Sequence, residues 1–585
     1  TLTLADGQEP EELIAMLETF ETVMHYYPVE SIPWSHRAVP DDTLYPDQWH
    51  LSNTGQTSGT AGVDANVESV WDDYRGTGVV IGIVDHGVDH NHADLNANYT
   101  ASLSYDYTDD DTDPSPEFSW ENHGTAVAGV AAGVGFNSVG IAGAAPAATL
   151  ASIRGFGLID DVETPQWLGH EQEQIDIYNN SWGPEDGVDW MRGPGPQTTQ
   201  TLKNGATNGR GGLGSLYVWA GGNGGLDQDN VNYDGFANSR HTIAVGAIGH
   251  NGVRAPYSEP GASLMIVAPS EGNGLSVDGI TTTDRTGSDG YHSSDYHAGF
   301  NGTSSSAPLV SGVLALVLEA NPTLTYRDVN HILVNSAAIT DAGDTGWSQN
   351  AAGHDINHEY GFGRIDAAAA VSVAEGWSNV RPEINPESGL VTVSSVIPDD
   401  STIGLASTVN ITDEVTLEYV EAVVNITHAS RGDLEITLTS PGGTDSVLAE
   451  VRTNDPGADY TNWIFTSTRH WDESGQGDWT LTVRDLVTGE TGTLDNWRLE
   501  LYGTAPTTTP TGPPPSTPLQ EPDLIGDTLI GNSGNDVIRG ALGDDLLVGN
   551  GGSDLMNAGG GDDRLFGGGS RDTLSGGSGD DFLNG

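Results

Sequence analysis

Three things are scarce in this 585-residue chain: cysteine, basic residues and long apolar runs. The absence of cysteine excludes disulfides, thiol nucleophiles and thiolate metal ligands. Lysine and arginine number 20 against 83 aspartates and glutamates, so the formal charge is −63, and such a surface repels nucleic-acid phosphate. No apolar run reaches the roughly 18 residues of a membrane-spanning helix. We therefore expect no nucleic-acid partner and no membrane span.

The acidic excess predicts bound cations. A compact chain with this charge would be destabilised by self-repulsion unless bound Ca²⁺, high salt or both screened it. Because disulfides are absent, calcium is also the candidate for stabilising a secreted protein. The length exceeds that of a single hydrophobic core, so we expect three or four domains.

Four polar residues each stand at the end of a strand-like run or at the start of a helical one. Asp85 follows the apolar run of residues 79–84, and His123 heads a small-residue helical pattern. Asn223 follows a third apolar run. Ser304 precedes a helical apolar stretch, where free N–H groups favour a developing oxyanion. Each residue taken singly is also explained as a helix cap, a turn residue or a satisfied polar group. Together they stand in the order Asp, His, Ser, which is the order of the subtilisin triad.

These segments resemble the subtilisin-like serine proteases, and further motifs resemble the kexin/furin branch. The resemblance implies an α/β catalytic domain with a parallel sheet over residues 41–376. It implies that Ser304 is the nucleophile, His123 the general base and Asp85 the residue that orients the imidazole. Asn223 then supplies the oxyanion-hole amide. The motifs that carry the resemblance to kexin and furin lie at residues 42–51, 181–186, 209–215, 232–239, 256–259, 318–322 and 360–366.

Two acids imply the substrate preference. Asp186 and Asp234 stand where the family carries the acids of its S1 pocket, and a P1 arginine or lysine needs such a carboxylate. We therefore expect protein or peptide substrates that are cleaved after Arg or Lys. His86 stands where the family has a second aspartate that selects a basic P2 residue. Arg192 and Thr164 stand where furin has acids for P4, so we expect monobasic cleavage with a loose P2 preference.

Three sets of residues resemble the calcium sites of this family. Their hard oxygen ligands suit Ca²⁺ better than zinc, although each acid taken alone is also consistent with a solvated surface carboxylate. The sets are Asp42, Asp94 and Asn137 with the carbonyls of Val139 and Ile141; Asp106, Asp111 and Asp113; and Asp186, Asp229 and Glu259 beside the S1 pocket.

Residues 377–504 change character, with Val-, Thr- and Ile-rich strands of period two and no long helical pattern. This segment resembles the P domain, an all-β sandwich that follows the catalytic domain in kexin-type proteases. An Arg-Gly-Asp triplet at residues 431–433 falls at the turn into one of these strands, and there we expect no integrin binding. Residues 505–522 form a Thr/Pro-rich linker.

Residues 523–585 contain a repeat of period nine with an acid at position six and an apolar residue at position eight. This is the pattern of the RTX parallel β-roll, in which aspartates bind calcium between turns and apolar residues fill the interior. The alternative, a flexible Gly/Asp tail, applies when calcium is absent. The predicted calcium ligands are Asp536, Asp545, Asp554, Asp563, Asp572 and Asp581.

Residues 1–40 are an N-terminal extension, either a remnant of a pro-segment with Arg37 as a processing point or an ordered extension on the catalytic domain. The predicted fold is thus multidomain, and the predicted function is that of a secreted, calcium-dependent, kexin-like serine endopeptidase. We expect export from a bacterium, because RTX repeats accompany such export. We also expect a monomer. The competing hypothesis is a calcium-binding surface or adhesion protein with a protease-like scaffold.

Overall fold

The computed structural model divides into two compact units, residues 1–505 and residues 506–585. Three predicted features lie largely outside the described residues: the N-terminal extension up to residue 38, most of the linker, and the aspartates at 536, 554 and 572. The described residues are 39–155, 157, 159–187, 191–272, 278–505, 519–520, 528–530, 537–542, 545–550, 555–561, 563–568, 573–579 and 581–584.

The first part of unit 1 is built on a seven-stranded parallel sheet with the order β2-β3-β1-β4-β5-β6-β7. The central strands are buried almost throughout, which is the environment that continuous Val/Ile-rich runs favour. This confirms the predicted α/β fold. The strands are β1 Val80–Asp85, β2 Tyr105–Asp106, β3 Thr149–Arg154, β4 Ile177–Asn180, β5 Leu216–Ala220, β6 Ile243–Ile248 and β7 Ile266–Pro269, followed by the hairpin β8 Ile280–Thr283 with β9 Tyr296–Phe300 and the short pair β10 Ser348–Gln349 with β11 Asp355–Ile356.

Six α-helices surround this sheet in the described residues. The fourth packs across five of the strands and against the first helix. It is also the one described helix with the length and composition of a membrane span, and 83% of it is buried inside the protein. The helices are α1 His123–Ala132, α2 Thr164–Leu168, α3 Pro196–Gly212, α4 Thr303–Ala320, α5 Tyr326–Ser336 and α6 Ala367–Glu375.

The second part of unit 1 is all β, as predicted, with two antiparallel sheets. Burial alternates along β13, β14 and β19, because one face of each sheet is solvated and the other packs on a core that includes Trp479 and Trp497. The strands are β12 Glu383–Ile384, β13 Val391–Ile397, β14 Leu405–Ile411, β15 Thr416–Thr427, β16 Leu434–Thr439, β17 Asp445–Ala449, β18 Tyr460–Ser467, β19 Gly477–Asp485 and β20 Gly492–Thr504.

The described residues of unit 2 form a parallel β-roll of two four-stranded sheets, which confirms the predicted fold class. Leu529 pairs with Leu547 and Leu547 with Leu565, so each partner lies 18 residues on and two nonapeptides make one coil. These leucines are buried, as position eight predicts. The strands are β21 Leu519–Gln520, which lies inside the predicted linker range, β22 Thr528–Ile530, β23 Val537–Leu542, β24 Leu546–Val548, β25 Leu555–Gly560, β26 Arg564–Phe566, β27 Thr573–Ser578 and β28 Phe582–Asn584.

Candidate active site

The four predicted catalytic residues converge at one edge of the parallel sheet. Asp85 ends β1, and Asn223 lies three residues after the end of β5. His123 begins α1 and Ser304 is the second residue of α4. Because the carboxyl ends of parallel strands meet at the same edge, elements far apart in sequence deliver these side chains to one place.

Asp85 and His123 form the charged pair of the site. His123 Nδ1 lies 2.8 Å from one carboxylate oxygen of Asp85, and the other oxygen accepts the His86 main-chain N–H at 2.8 Å. Burial would raise the pKa of Asp85, but the charge and hydrogen bond of His123 outweigh it, so this pKa lies well below its usual range. Burial would lower the pKa of His123, yet Asp85 raises it above its ordinary value. The remaining nitrogen, Nε2, is the one that can accept a proton.

Ser304 is held by a reciprocal pair with Ser181, the residue after β4. Gly302, just before α4, has a φ of 77°, which an L-residue rarely adopts. Pro308 has no N–H for the Ser304 carbonyl one turn earlier, and the Ser181 hydroxyl donates to that carbonyl at 3.1 Å instead. In return, Ser304 Oγ donates to the Ser181 carbonyl at 3.2 Å. The proline therefore ties the candidate nucleophile to the neighbouring strand end.

The side-chain amide of Asn223 is oriented by Thr303. Its Oδ1 accepts hydrogen bonds from the Thr303 main-chain N–H at 2.8 Å and from Thr303 Oγ1 at 3.1 Å. Since both donors hold the oxygen, Nδ2 is the group of this amide that is left to donate, and a hydrogen bond from the Asn223 side chain partly offsets the burial that raises the pKa of Asp186. Asn223, Ser304 and His123 border one cavity, so an amide donor lies beside the candidate nucleophile and base.

The candidate nucleophile also borders a second cavity of about 340 Å³ that is lined by acids. The protein wall displaces water from Asp186, which raises its pKa to about 6, and burial raises the pKa of Asp234 to about 8. The pKa of Glu259 lies well above its usual range because of burial, together with the charges of Asp229 and Asp186. The arrangement suits a cation, either a metal ion or a guanidinium, that would displace the protons.

Two of the predicted calcium sets consist of enclosed acids that face one another. In the first, buried Asp94 accepts hydrogen bonds from the Ile141 N–H at 2.8 Å and the Asn137 amide at 2.9 Å. The Asn137 amide oxygen in turn accepts the Val139 N–H at 2.7 Å. Burial, with an added contribution from the charge of Asp94, raises the pKa of Asp42. No lysine or arginine among the described residues forms an ion pair with either acid, so this set fits a hard cation. In the set beside the cavity, burial raises the pKa of Asp186, Asp229 and Glu259, and the acids repel one another. Arg452 pairs with Asp229 at 2.7 Å, so a cation here would meet one acid that is already partly neutralised.

The remaining catalytic-domain set is different. The buried Arg154 guanidinium lies 2.5 Å from the Asp106 carboxylate and 2.9 Å from Glu121. Asp111 and Asp113 are exposed on the following loop. A cation bound here would share Asp106 with Arg154, so we expect it to bind more weakly than at the set around Asp42 and Asp94.

In unit 2 the described aspartates of the repeat form a ladder. Asp563 Oδ1 accepts the main-chain N–H of Asp545 at 2.8 Å, and Asp581 Oδ1 accepts that of Asp563 at 3.0 Å. Asp545 and Asp563 are buried. Stacked buried carboxylates with a spacing of one coil are a donor set that fits Ca²⁺.

Sequence reasoning missed two contributors to the site. Ser181 lies within a motif that carried the family resemblance, but its bond to Ser304 spans 123 positions, and the residues around Ser181 give no sign of it. Arg452, which bonds Asp229 across 223 positions, lies outside every motif. For Ser181 the signal was Pro308, whose missing N–H leaves the Ser304 carbonyl in need of another donor.

Three protein families match the chain. The subtilase family matches residues 76–363, and the proprotein convertase P-domain matches residues 417–501. The RTX calcium-binding nonapeptide repeat, in four copies, matches residues 526–556 and 557–585.

Individual relatives agree with these matches. Proprotein convertase subtilisin/kexin type 4 of Mus musculus is 38% identical over 487 residues, which are 80% of this chain and 71% of that protein. Furin of Homo sapiens is 36% identical over 490 residues, 81% of this chain and 59% of furin. This chain spans about three fifths of the length of the human relatives it matches. The crystal structure of the Aeromonas sobria serine protease in complex with its chaperone has a TM-score of 0.74 at 27% identity, over 80% of this chain and 96% of that one.

The parallel sheet and the Asp–His–Ser arrangement at its edge define a subtilisin-like protein. The chain belongs to the subtilase family, and within it to the subtilisin/kexin type that carries a P-domain.

Proposed function

We propose that this protein is a calcium-dependent serine endopeptidase that cleaves peptide bonds after Arg or Lys. The observation that carries the proposal is the meeting of Ser304, the Asp85–His123 pair and the Asn223 amide beside an acid-lined cavity.

In the proposed reaction, Ser304 Oγ turns from the Ser181 carbonyl and attacks the scissile carbonyl carbon, while its proton passes to His123 Nε2. Asp85 stabilises the imidazolium. The oxyanion accepts hydrogen bonds from Asn223 Nδ2 and from the Ser304 N–H in the first turn of α4. His123 then gives its proton to the leaving amine as the C–N bond breaks. Water hydrolyses the acyl-enzyme with His123 again as base.

The acid-lined cavity supports a basic P1 residue. A buried guanidinium needs carboxylate partners, and Asp186 and Asp234 line the cavity beside the nucleophile.

At the P2 position of the substrate we propose no requirement for a basic residue. His86, which follows Asp85, lies edge-on to the ring of Trp120 at 5.2 Å, and the Trp120 side chain is 55% exposed. This surface offers an aromatic face rather than a carboxylate, which supports monobasic cleavage.

Calcium would serve the protein at two levels. In unit 1, Ca²⁺ would be held by the set around Asp42 and Asp94 and by the set of Asp186, Asp229 and Glu259, where it would neutralise enclosed carboxylates. In unit 2 the stacked carboxylates of Asp545 and Asp563 would couple folding of the roll to calcium, which supports secretion into a calcium-containing medium.

The adhesion alternative finds no support in the Arg-Gly-Asp triplet, because Gly432 is buried and Arg431 is paired with Asp455.

The test is hydrolysis of a peptide amide with Arg at P1, assayed with excess Ca²⁺ and with a chelator, for this chain and for Ser304→Ala. We expect cleavage with calcium and its loss both with the chelator and in the variant. The matched control is Ser306→Ala, because the Ser306 hydroxyl is buried and donates to the Ala268 carbonyl at 3.0 Å. This control should keep activity. A chain that is inert towards both Arg and Lys substrates in calcium would contradict the proposal.

A further inference from the structure

The acidic wall of the substrate cavity contains a contact from the second part of unit 1. Asp229 lines the cavity between the other acids and lies in the catalytic part. Its Oδ1 is 2.7 Å from Nη1 of Arg452, which lies in the loop between β17 and β18 of the P-domain part. Both side chains are buried. A residue outside the catalytic fold therefore neutralises one of the cavity acids.

Arg452 is itself held by a row of alternating charges. Its Nη2 lies 2.6 Å from Asp455, and Asp455 also binds Nε of Arg431 at 2.9 Å. The guanidinium carbon of Arg452 lies 4.3 Å from the ring centroid of Tyr233, another residue of the cavity wall. We name this row, Arg431–Asp455–Arg452–Asp229, the charge ladder. It gives the arginine of the Arg-Gly-Asp triplet a role inside the protein.

The same two segments are also joined by hydrogen bonds outside the charge ladder, and these fix its position. Tyr233 Oη donates to the Glu450 carbonyl at 3.1 Å. The Asn230 amide donates to the Glu450 carboxylate at 3.0 Å, and the Asn454 amide donates to the Asp227 carbonyl at 2.9 Å. The wall segment 227–233 is thus bonded to the loop of residues 450–454 at several points.

We infer that Arg452 is a positioning residue of the substrate cavity, supplied by the P-domain part, which holds Asp229 in place and shares with Ca²⁺ the task of neutralising the cavity acids. This inference rests on the proposed role of the cavity. Its physical consequence is that the guanidinium and the calcium ion are partial substitutes for each other. When the guanidinium is removed, the acids Asp186, Asp229 and Glu259 depend more strongly on calcium.

The experiment measures the calcium dependence of unit 1 alone in the full chain. All 14 tryptophans precede residue 506, so tryptophan fluorescence reports the melting of unit 1 and not of the repeats. The quantity is the difference in Tm between excess CaCl₂ and EGTA. For Arg452→Met we expect this difference to exceed that of the parent by at least about 2 °C. Arg452→Lys keeps a charge without the two-carboxylate fork and should recover part of the effect.

The matched control is Arg484→Met, since Arg484 pairs with Glu435 at 2.7 Å within the P-domain part and is not a member of the ladder. It should leave the calcium-dependent difference unchanged. If Arg452→Met prevents folding, Arg431→Gln, at the far end of the ladder, should show the same sign with a smaller size. With an Arg-P1 peptide in saturating calcium, Arg452→Met should raise KM about tenfold while kcat changes little.

A calcium-dependent difference in Arg452→Met that is equal to or smaller than that of the parent overturns the inference, and so does an unchanged KM. The melting measurement needs no substrate. A chain that cleaves no peptide, but whose Arg452→Met variant shows the larger calcium-dependent difference in Tm, would therefore refute the proposed function and still support the inference about Arg452.

Discussion

Replacement of Asn223 by alanine tests the proposed oxyanion site most directly. The Thr303 N–H and hydroxyl hold the Asn223 amide oxygen at 2.8 and 3.1 Å, so the substitution removes one oriented Nδ2 donor that strengthens its bond only as the oxyanion forms. Loss of one such donor costs about 2.7–4 kcal/mol of transition-state stabilisation, which corresponds to a fall in kcat of about 10²- to 10³-fold with little change in KM.

A second variant, Thr303→Val, should lower kcat through the same amide by a smaller factor. Thr303→Val keeps the main-chain donor to Asn223 and removes the hydroxyl, which donates to Asn223 at 3.1 Å and accepts the Gly222 N–H at 3.2 Å. The loss to the Asn223 amide is about one net hydrogen bond, so kcat should fall roughly 2- to 10-fold. Steady-state kinetics on an Arg-P1 peptide amide, with thermal melting as the check on folding, measures both. If Asn223→Ala raised KM and left kcat unchanged, the amide would bind the ground state and the reasoning would be refuted.

The remaining predictions concern specificity, pH and calcium. Asp234→Asn should lower kcat/KM for an Arg-P1 peptide by about 10²- to 10³-fold, since a P1 guanidinium would lose a carboxylate partner; an equal loss on an apolar P1 peptide would point to a structural role. Activity should rise with pH as His123 loses its proton, because the base must be neutral and Asp85 raises its pKa. In Asp85→Asn, burial alone acts on His123, so the acid limb of the kcat/KM profile should move to lower pH and the plateau fall on the order of 10⁴-fold; movement to higher pH would contradict this. A P2 peptide library should show no requirement for Lys or Arg, and strict Lys-Arg selection would exclude the loose P2 preference. Removal of calcium should release the strands of residues 528–584 to fast hydrogen exchange, because Asp545 and Asp563 are buried; protection that survives a chelator would count against calcium-coupled folding.

Much of the candidate site was accessible to sequence reasoning because each residue stands at a boundary with a local signature. Asp85 follows a Val/Ile run, Ser304 precedes an apolar helix, and the structure places both at the edge of the sheet. The acids around Asp106 also formed a visible cluster. Arg154, 48 positions away in sequence, was not part of that pattern, and it changes the charge that a cation there would meet.

The sequence by itself determined those features that repeat or alternate over short distances. The nine-residue spacing of aspartate and apolar residues specified the roll, because pairing at 18 residues follows from two repeats per coil. The apolar runs likewise specified buried parallel strands. Only the tertiary structure decided which distant groups bond to each other: the Ser181 hydroxyl to the Ser304 carbonyl, and Arg452 to Asp229. Such contacts depend on how separate elements dock, and a buried ion pair is specified by the geometry of both partners rather than by the residues near either one in the chain.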